Sequence, residues 1–281
     1  MIELLQDRLQ RYKAPTAPEE ENALKEILQE VALYALWKAN FFEVGLFQGG
    51  TSLRILHGLP RFSEDLYFML RHPNLDFNWN PYLIELRETF ALFGLEAEAI
   101  SKSNMNDTIR RAIIKDSSIA NQIDLRFASH DPRKKIQIKL EIDVNPPAYS
   151  GATTSFLDFP LDHEVHHQDL PSNFALKIHA LLCHPFLKGR DWYDFAWYVG
   201  KRVSPNLPHL EAALQQYGPW ADTNSLSVND AWLRTVIEEK IDSIDWSVAA
   251  DDVRRFMRPT DLKSLDLWSE RFFRSKLGQM P

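Results

Sequence analysis

Cysteine is almost absent from this chain of 281 residues, in which Cys183 is the only one. The chain therefore forms no intramolecular disulfide and no metal centre built from several cysteines. Long apolar runs are missing too, since no segment approaches the roughly 20 residues that a membrane-spanning helix needs. The N-terminal residues include acidic side chains and lack the apolar stretch of a secretory signal. We therefore expect a cytoplasmic protein without a membrane span.

Positive charge is also scarce, because the formal net charge is −7. Proteins that coat nucleic acid without sequence preference neutralise many phosphates, and this balance argues against that class. Basic residues still cluster locally, at 110–115, at 133–135 and from 254 to 276. Each cluster is interpreted either as a local nucleic-acid-binding face or as a solvated helix or turn.

The spacing of apolar residues predicts a mixed front half and a helical back half, that is, an α/β (α+β) fold. We expect domains at 1–165 and 166–281, with helices from about residue 171 onward. In the front half the pattern predicts helices at Glu21–Ala39, Thr51–His57 and Tyr82–Phe93, and strands at Val44–Phe47, Asp65–Leu70, Gln122–Ala128 and Ile136–Pro147.

The stretch FQGGTSLR, from Phe47 to Arg54, predicts a strand, a glycine turn and a helix. Such a turn presents backbone N–H groups and the positive end of the helix dipole to an anion. Gly49, Gly50 and Thr51 are therefore candidate phosphate-binding residues, although glycine turns before helices are common. Arg61 and Ser63 follow as candidate phosphate donors, with a surface pair between Arg61 and Glu64 as the structural alternative.

Carboxylates follow on two predicted strands. Asp65 begins the first of them, and KLEIDVNPP places Lys139, Glu141 and Asp143 on one face of the second. Carboxylates at the edge of such a sheet are what Mg²⁺-dependent nucleotidyl transfer requires. Glu141 and Asp143 are interpreted either as further metal ligands or as an exposed strand face.

A third group of charges follows a predicted helix that carries Lys177. Asp191 and Asp194 are three residues apart and share a helix face. Either Lys188 or Arg190 can pair with Asp194 for structural reasons, because a buried charge needs a partner. The aromatic residues around this run fit a protein core better than a base-stacking surface.

These motifs together resemble the AbiEii/AbiGii toxin family of nucleotidyltransferases. The chain carries FQGGTSLR, RFSEDLYF, KLEIDVNPP, FALKIHALL and KGRDWYDFAWY in the order of the family, across Phe47–Tyr198. The resemblance implies a nucleotidyltransferase fold with a helical C-terminal region. It also implies a role in toxin–antitoxin or abortive-infection systems, in which some members transfer nucleotides to the 3′ end of tRNA.

The resemblance assigns a role to each matching residue. It implies catalytic roles for Asp65, Lys177 and Asp191, Mg²⁺ or Mn²⁺ as cofactor, a nucleoside triphosphate as substrate and an antitoxin as partner. From the resemblance and the residue patterns together, the predicted triphosphate ligands are Gly49, Gly50, Thr51, Arg61, Ser63, Lys188 and Arg190, and the predicted metal ligands are Asp65, Glu141, Asp143, Asp191 and Asp194; the resemblance itself covers Gly49, Gly50, Thr51, Asp65, Asp191 and Asp194.

Tyr67 departs from the family pattern, which usually has aspartate at this position. A phenol is neutral at pH 7 and a poor ligand for Mg²⁺. Three hypotheses follow: a toxin-like enzyme acting on RNA, a degenerate member that binds nucleotide or a partner protein without catalysis, and an enzyme that nucleotidylates a protein or a small molecule.

Overall fold

The computed structural model describes residues 1–102, 107–119, 122–123, 125, 135–221 and 226–281. The chain divides into two compact units. The first unit comprises Met1–Gly58, Phe62–Pro146 and Thr154–His167, and the second comprises Leu59–Arg61, Pro147–Thr153 and Gln168–Pro281. The predicted domain division at 165/166 falls within a strand that runs from His163 to Gln168, and it stays a prediction.

A seven-stranded mixed sheet forms the centre of the first unit, in the order β3-β4-β5-β2-β1-β7-β6. Strand β1 pairs with β2 in antiparallel and with β7 in parallel orientation, while β5 is parallel to β2 and antiparallel to β4. The strands are β1 Gly45–Gln48, β2 Leu66–Leu70, β3 Glu98–Ser101, β4 Ile109–Asp116, β5 Ile136–Asp143, β6 Ala152–Leu157 and β7 His163–Gln168.

The helices of the first unit cover the apolar side of this sheet. In β5 the inward residues Ile136, Ile138, Leu140 and Ile142 are at most 2% exposed, as the alternation in the sequence predicts. Helix α2 packs against β5 and α4, and its first turn is capped by Thr16. The helices are α1 Ile2–Tyr12, α2 Ala17–Lys38, α3 Gly49–His57 and α4 Asn80–Leu92, with a short 3-10 helix at Phe41–Glu43.

The second unit is mainly helical. Its helices are α5 Leu170–Cys183, α6 Gly189–Gly200, α7 Leu207–Gln216, α8 Asp230–Asp242, α9 Trp246–Arg254 and α10 Glu270–Gln279, with a 3-10 helix at Pro259–Leu267. A side-chain oxygen accepts a hydrogen bond from the first turn of α5, α7, α8, α9 and α10, at Asp169, Asn206, Asn229, Asp245 and Ser269. These caps explain why the helices begin where they do.

The aromatic residues of α6 are core residues, as the sequence indicated. Trp192 is 1% exposed and Phe195 is fully buried. The Trp192 ring meets Trp246 edge-on at 5.0 Å, and Trp246 stacks on Phe273 at 4.1 Å. These contacts fix α6, and therefore its charged residues, against α9 and α10.

Several sequence-based elements differ from the structure. The strand predicted at Gln122–Ala128 lies largely outside the described residues, as do two of the three basic residues at 133–135. The 110–115 cluster does not form one basic face, because alternation along β4 buries Arg110 completely and leaves Arg111 exposed. The guanidinium of Arg110 donates to the carbonyl oxygen of Leu75.

No described helix has both the length and the apolarity that crossing a bilayer requires.

Candidate active site

The glycine turn after β1 begins α3 two residues earlier than predicted. Gly49 has φ +80°, a left-handed conformation that other residues adopt only with strain. A Cβ on Gly49 would lie 3.2 Å from Cβ and 3.3 Å from Cδ2 of Tyr67, so the turn passes directly over that residue. The side chain of Gln48, the residue before the helix, accepts no hydrogen bond from the first turn. The helix therefore begins without a side-chain cap. In such a helix the first backbone N–H groups can bind an anion in place of the cap.

Thr51 ties this turn to the start of β2. Its hydroxyl is fully buried, donates to the carbonyl oxygen of Asp65 at 2.5 Å and lies 2.8 Å from Oγ of Ser63. Gln29, a buried residue of α2, binds the same segment. Its Nε2 donates hydrogen bonds to the carbonyl oxygens of Ser63 and Glu64 at 3.1 and 2.8 Å. Thr51 and Gln29 therefore fix the position of Asp65. The roles of Thr51 and Ser63 as phosphate ligands stay predictions.

Tyr67 lies in a row of polar side chains that crosses three neighbouring strands. It is paired in register with Glu141 of β5, which is in turn paired with Arg111 of β4. Nε of Arg111 is 3.2 Å from Oε1 of Glu141, and the Tyr67 hydroxyl is 3.4 Å from Oδ2 of Asp65. Where the family has a second aspartate, this chain presents a phenol, 38% exposed, between two carboxylates.

Asp143 lies two residues beyond Glu141 on the same face of β5. Its carboxylate accepts a hydrogen bond from the backbone N–H of Asn145 at 2.9 Å. Burial raises the pKa of Asp143, and the hydrogen bond from Asn145 opposes that shift without cancelling it. The structure therefore places this carboxylate in a less solvated setting than the sequence alternative of an exposed strand face predicts.

The second unit contains a buried network of four charges. The Arg61 guanidinium donates to both carboxylate oxygens of Asp194, at 2.7 and 2.6 Å, and both side chains are at most 2% exposed. Nζ of Lys177 lies 2.8 Å from Asp194 and 3.1 Å from Asp191. From the sequence we considered a surface pair between Arg61 and Glu64, and a pair of Asp194 with Lys188 or Arg190. Both are wrong, because Arg61 is buried against Asp194, and Asp194 pairs with Arg61 and Lys177.

The pKa values of this network follow from burial and charge pairing. Burial by itself lowers the pKa of Lys177, but the attraction of Asp194 and Asp191 outweighs it and the net shift is upward. Burial by itself raises the pKa of Asp191, yet Lys177 and His184 together lower it well below the usual range. Lys177 and Asp191 are therefore both charged at neutral pH.

Lys188 and Arg190 lie at the beginning of α6 and contact aromatic rings. The Lys188 ammonium is 5.0 Å from the ring centroid of Phe186, and the Arg190 guanidinium is 4.5 Å from that of Phe256. Their predicted role in triphosphate binding stays a prediction.

The predicted site residues therefore fall into two groups. The first unit contains Gly49, Gly50, Thr51, Ser63, Asp65, Glu141 and Asp143, and the second contains Arg61, Lys177, Lys188, Arg190, Asp191 and Asp194. Sequence reasoning missed Gln29 and Arg111. Gln29 is recognisable in the sequence as a polar residue within the apolar run of α2, whereas the pairing of Arg111 with Glu141 depends on strand register.

Within the described part of the chain, no three or more Asp, Glu, His or Cys side chains converge in a way that could hold a metal ion. Mg²⁺ needs only one or two protein carboxylates when substrate phosphates supply further ligands. Asp65 and Glu141, on either side of Tyr67, fit that mode of binding. They do not fit a metal cage made of protein ligands alone.

Comparison with known proteins identifies the family. The family model described as nucleotidyl transferase AbiEii toxin, type IV toxin–antitoxin system, matches residues 31–271. No curated protein matches significantly. MenT4, a nucleotidyltransferase toxin from Mycobacterium tuberculosis H37Rv, has a similar fold, with a TM-score of 0.61, 18% identity and coverage of 99% of this chain and 89% of MenT4.

JHP933 from Helicobacter pylori also matches in fold, with a TM-score of 0.50, 16% identity and coverage of 92% of this chain and 89% of that protein. At these identities the two structures establish the fold, a mixed sheet with many helices. The family model covers most of the sequence, so the chain belongs to the AbiEii family of nucleotidyltransferase toxins of type IV toxin–antitoxin systems.

Proposed function

We propose that this protein transfers a nucleoside monophosphate from a nucleoside triphosphate to RNA, with the 3′ end of tRNA as acceptor, in a metal-dependent reaction. The acceptor hydroxyl attacks the α-phosphate, a new phosphodiester bond forms, and pyrophosphate leaves. The observation that carries the proposal is the glycine turn of α3, which Thr51 holds against the start of β2 beside Asp65. The cytoplasm, where triphosphates and tRNA are available, is the compartment that this reaction requires.

Each group of residues is assigned its own role. In the first unit, the backbone N–H groups of Gly49, Gly50 and Thr51 bind the triphosphate, and Ser63 supports them. Asp65 and Glu141 are the residues that would hold Mg²⁺, with Asp143 as a further carboxylate on the same strand. When bound, the cation would offset negative charge that develops on the phosphates.

In the second unit, Lys177 is the proposed cationic ligand of phosphate, supported by Arg61, Lys188 and Arg190. Asp191 is proposed to bind metal or to orient the acceptor hydroxyl, and Asp194 holds Lys177 in place through its ion pair. Because Lys177 carries a full charge between two carboxylates, it is a donor of hydrogen bonds and not a base.

The test is incubation of the protein with labelled nucleoside triphosphates, Mg²⁺ and total RNA. We expect label in RNA of tRNA size, a loss of at least about 100-fold in Asp65→Asn because the remaining ligand is a neutral amide, and no change in Asp162→Asn, which alters an exposed aspartate of the same unit. No label transfer at any Mg²⁺ or Mn²⁺ concentration would contradict the proposal. Label in protein or in a small molecule, but not in RNA, would favour the third hypothesis.

A second function is supported by Tyr67, namely a degenerate member that binds nucleotide or a partner protein without catalysis. A neutral phenol replaces a carboxylate there, which leaves the centre about one unit less negative. Tyr67→Asp distinguishes the two functions, with Tyr67→Phe as the control for loss of the hydroxyl. Transfer by Tyr67→Asp but not by the parent would establish the degenerate reading, and transfer by the parent would eliminate it.

We also infer a cognate antitoxin, because the family consists of toxins of two-component systems. The test is growth of cells that express this protein with and without the neighbouring open reading frame. We expect growth arrest that co-expression of the neighbour relieves. A protein that stays harmless at high expression would contradict a toxic role.

A further inference from the structure

A cleft of about 170 Å³ opens in the second unit, between the α5–α6 connection and the end of α8. Besides the core residue Trp192, the residues of this cleft that carry polar or aromatic groups are His184, Phe186, Lys188, Asp191, Lys240 and Ser243. Asp191 already belongs to the proposed reaction. The other five have no role in it except Lys188, so the cleft extends the site along α6 and α8.

Two ammonium groups line this cleft without an ionic partner. Among the residues that the structure describes, no carboxylate forms an ion pair with Lys188 or Lys240. Lys240 lies in the last turn of α8, where a cation is favourable next to the helix carbonyls, and this explains part of its placement. It does not explain a second ammonium at the same cleft in a chain of net charge −7. Two ammonium groups that face one cleft, and that have no carboxylate partner in the described part of the chain, form an anion-binding arrangement.

The same cleft presents an aromatic surface. Phe186 is 60% exposed, and its ring is parallel to His184 within 7° at a centroid distance of 5.7 Å. The Lys188 ammonium lies 5.0 Å from the same ring centroid. An exposed ring that is held flat by a neighbouring ring, and has a cation within reach, is the arrangement on which proteins stack unpaired bases beside a phosphate.

We propose that this cleft binds one unpaired nucleotide of the acceptor RNA, with its base stacked on Phe186 and its phosphate between Lys188 and Lys240. The inference rests on the proposed function, because the nucleotide is assigned to the acceptor of that reaction. A free nucleoside triphosphate has the same base and phosphate chemistry and is the other possible source of the ligand.

Charge favours the RNA. Lys188 and Lys240 are the two cationic side chains of the lining, and the Asp191 carboxylate is paired with Lys177. Two ammonium groups suffice for one phosphodiester, which carries a single negative charge, whereas a triphosphate carries several and would lie beside the Asp191 carboxylate. The volume of the cleft likewise suits a single base and not a stretch of strand.

The test measures binding of a fluorescein-labelled single-stranded RNA octamer by anisotropy, at low salt and without triphosphate or metal. We expect Phe186→Ala to weaken binding about tenfold through lost stacking, and Lys240→Glu to weaken it at least as much and to reduce its salt dependence. Phe186→Trp and Lys240→Arg should bind as the parent does. Lys201→Ala, which removes an exposed lysine of the same unit outside the cleft and outside the basic clusters, is the matched control.

The outcomes separate this inference from the proposed function. A parent protein that does not bind the octamer, or Phe186→Ala and Lys240→Glu variants that bind it normally, would overturn the inference even if nucleotide transfer occurs. Loss of binding to ATP, CTP, GTP or UTP in these variants without loss of RNA binding would assign the cleft to the triphosphate and overturn it as well. Loss of RNA binding confined to the two variants supports it, whether or not transfer is detected.

Discussion

The Asp65 cluster of the first unit lies at the surface of a sheet, whereas the Asp194 cluster of the second unit lies in a protein interior. Tyr67 is 38% exposed beside Asp65, while Asp194 is fully buried between Arg61 and Lys177. In the first cluster the Tyr67 hydroxyl lies 3.4 Å from Oδ2 of Asp65, whereas in the second the Arg61 guanidinium binds both oxygens of its partner at 2.7 and 2.6 Å.

This difference shows that two runs of acidic residues that look alike in a sequence have different physical roles. A partly exposed carboxylate can accept a cation that arrives with substrate, because solvent reaches it. A fully buried carboxylate must be paired, and removal of its partner leaves an uncompensated charge. The first cluster is therefore accessible to solvent, whereas the ion pairs of the second hold Lys177 and Asp191 in place.

The largest effect is expected from Asp194→Asn. This change leaves the Arg61 and Lys177 charges buried with one carboxylate fewer, and the free energy of unfolding should fall by about 3–5 kcal/mol. Urea denaturation followed by circular dichroism measures it. Asp251→Asn is the control, because the pair of Asp251 with Arg254 is at least half exposed and should contribute nothing measurable. Equal stabilities of the two variants would contradict the contrast between the clusters.

The sequence predicted the elements that a periodic pattern or a glycine turn marks. The alternation in β5, the helix predicted at Thr51–His57 and the shared face of Asp191 and Asp194 are all present, although the helix begins at Gly49. The partner of Arg61 was not predictable, because it is 133 residues away in the chain and local rules reach only the nearest turn.

Strand order sets another limit on prediction from this sequence. Arg111 meets Glu141 only because β4 is paired with β5 in one particular register. A shift of that register by one residue would turn the side chain of Arg111 to the other face of the sheet. No single segment of the sequence contains that register. The motifs therefore identify the family and the candidate residues, but the charge state of the site follows from long-range pairing.

Gln29→Leu tests whether the exposed cluster depends on support from the core. The change removes two donated hydrogen bonds and leaves the carbonyl oxygens of Ser63 and Glu64 without that donor, which should cost about 1–3 kcal/mol of unfolding free energy. Gln279→Leu, at an exposed position of α10, should leave stability unchanged. If Gln29→Leu has parental stability, the segment before Asp65 is held by other contacts.

Gly49→Ala tests the turn itself. The left-handed backbone and the close approach to Tyr67 should together cost about 1–2 kcal/mol. In Gly278→Ala, by contrast, the new methyl group meets no atom within 4 Å, and stability should be unchanged or higher by up to about 1 kcal/mol because alanine favours a helix. Thermal unfolding of the two variants gives the comparison, and a Gly49→Ala protein as stable as Gly278→Ala would refute the strain.

The smallest effect is expected from buried histidine. Burial lowers the pKa of His209 from 6.5, although its hydrogen bond to the carbonyl oxygen of Ala148 opposes the shift. The unfolded chain therefore binds the proton more readily, so the stabilising contribution of the neutral ring is complete above about pH 6.5 and is lost as the pH falls below it. The Asp191 carboxyl behaves differently, because its lowered pKa keeps its contribution intact until the pH falls below 3.8.

Between pH 5 and pH 7 Asp191 stays ionised, but burial raises the pKa of Glu30 to about 7, so this carboxyl titrates in the same range with the opposite effect on stability. The difference between the unfolding free energies of the parent and His209→Asn removes the contribution of Glu30. We expect the parent to lose stability toward pH 5 relative to the variant, by under about 1 kcal/mol, because asparagine does not titrate. Burial lowers the pKa values of His163 and His179 as well, so part of the slope should remain in the variant. Identical slopes in parent and variant would show that His209 titrates alike in the folded and unfolded chain, and would contradict the prediction.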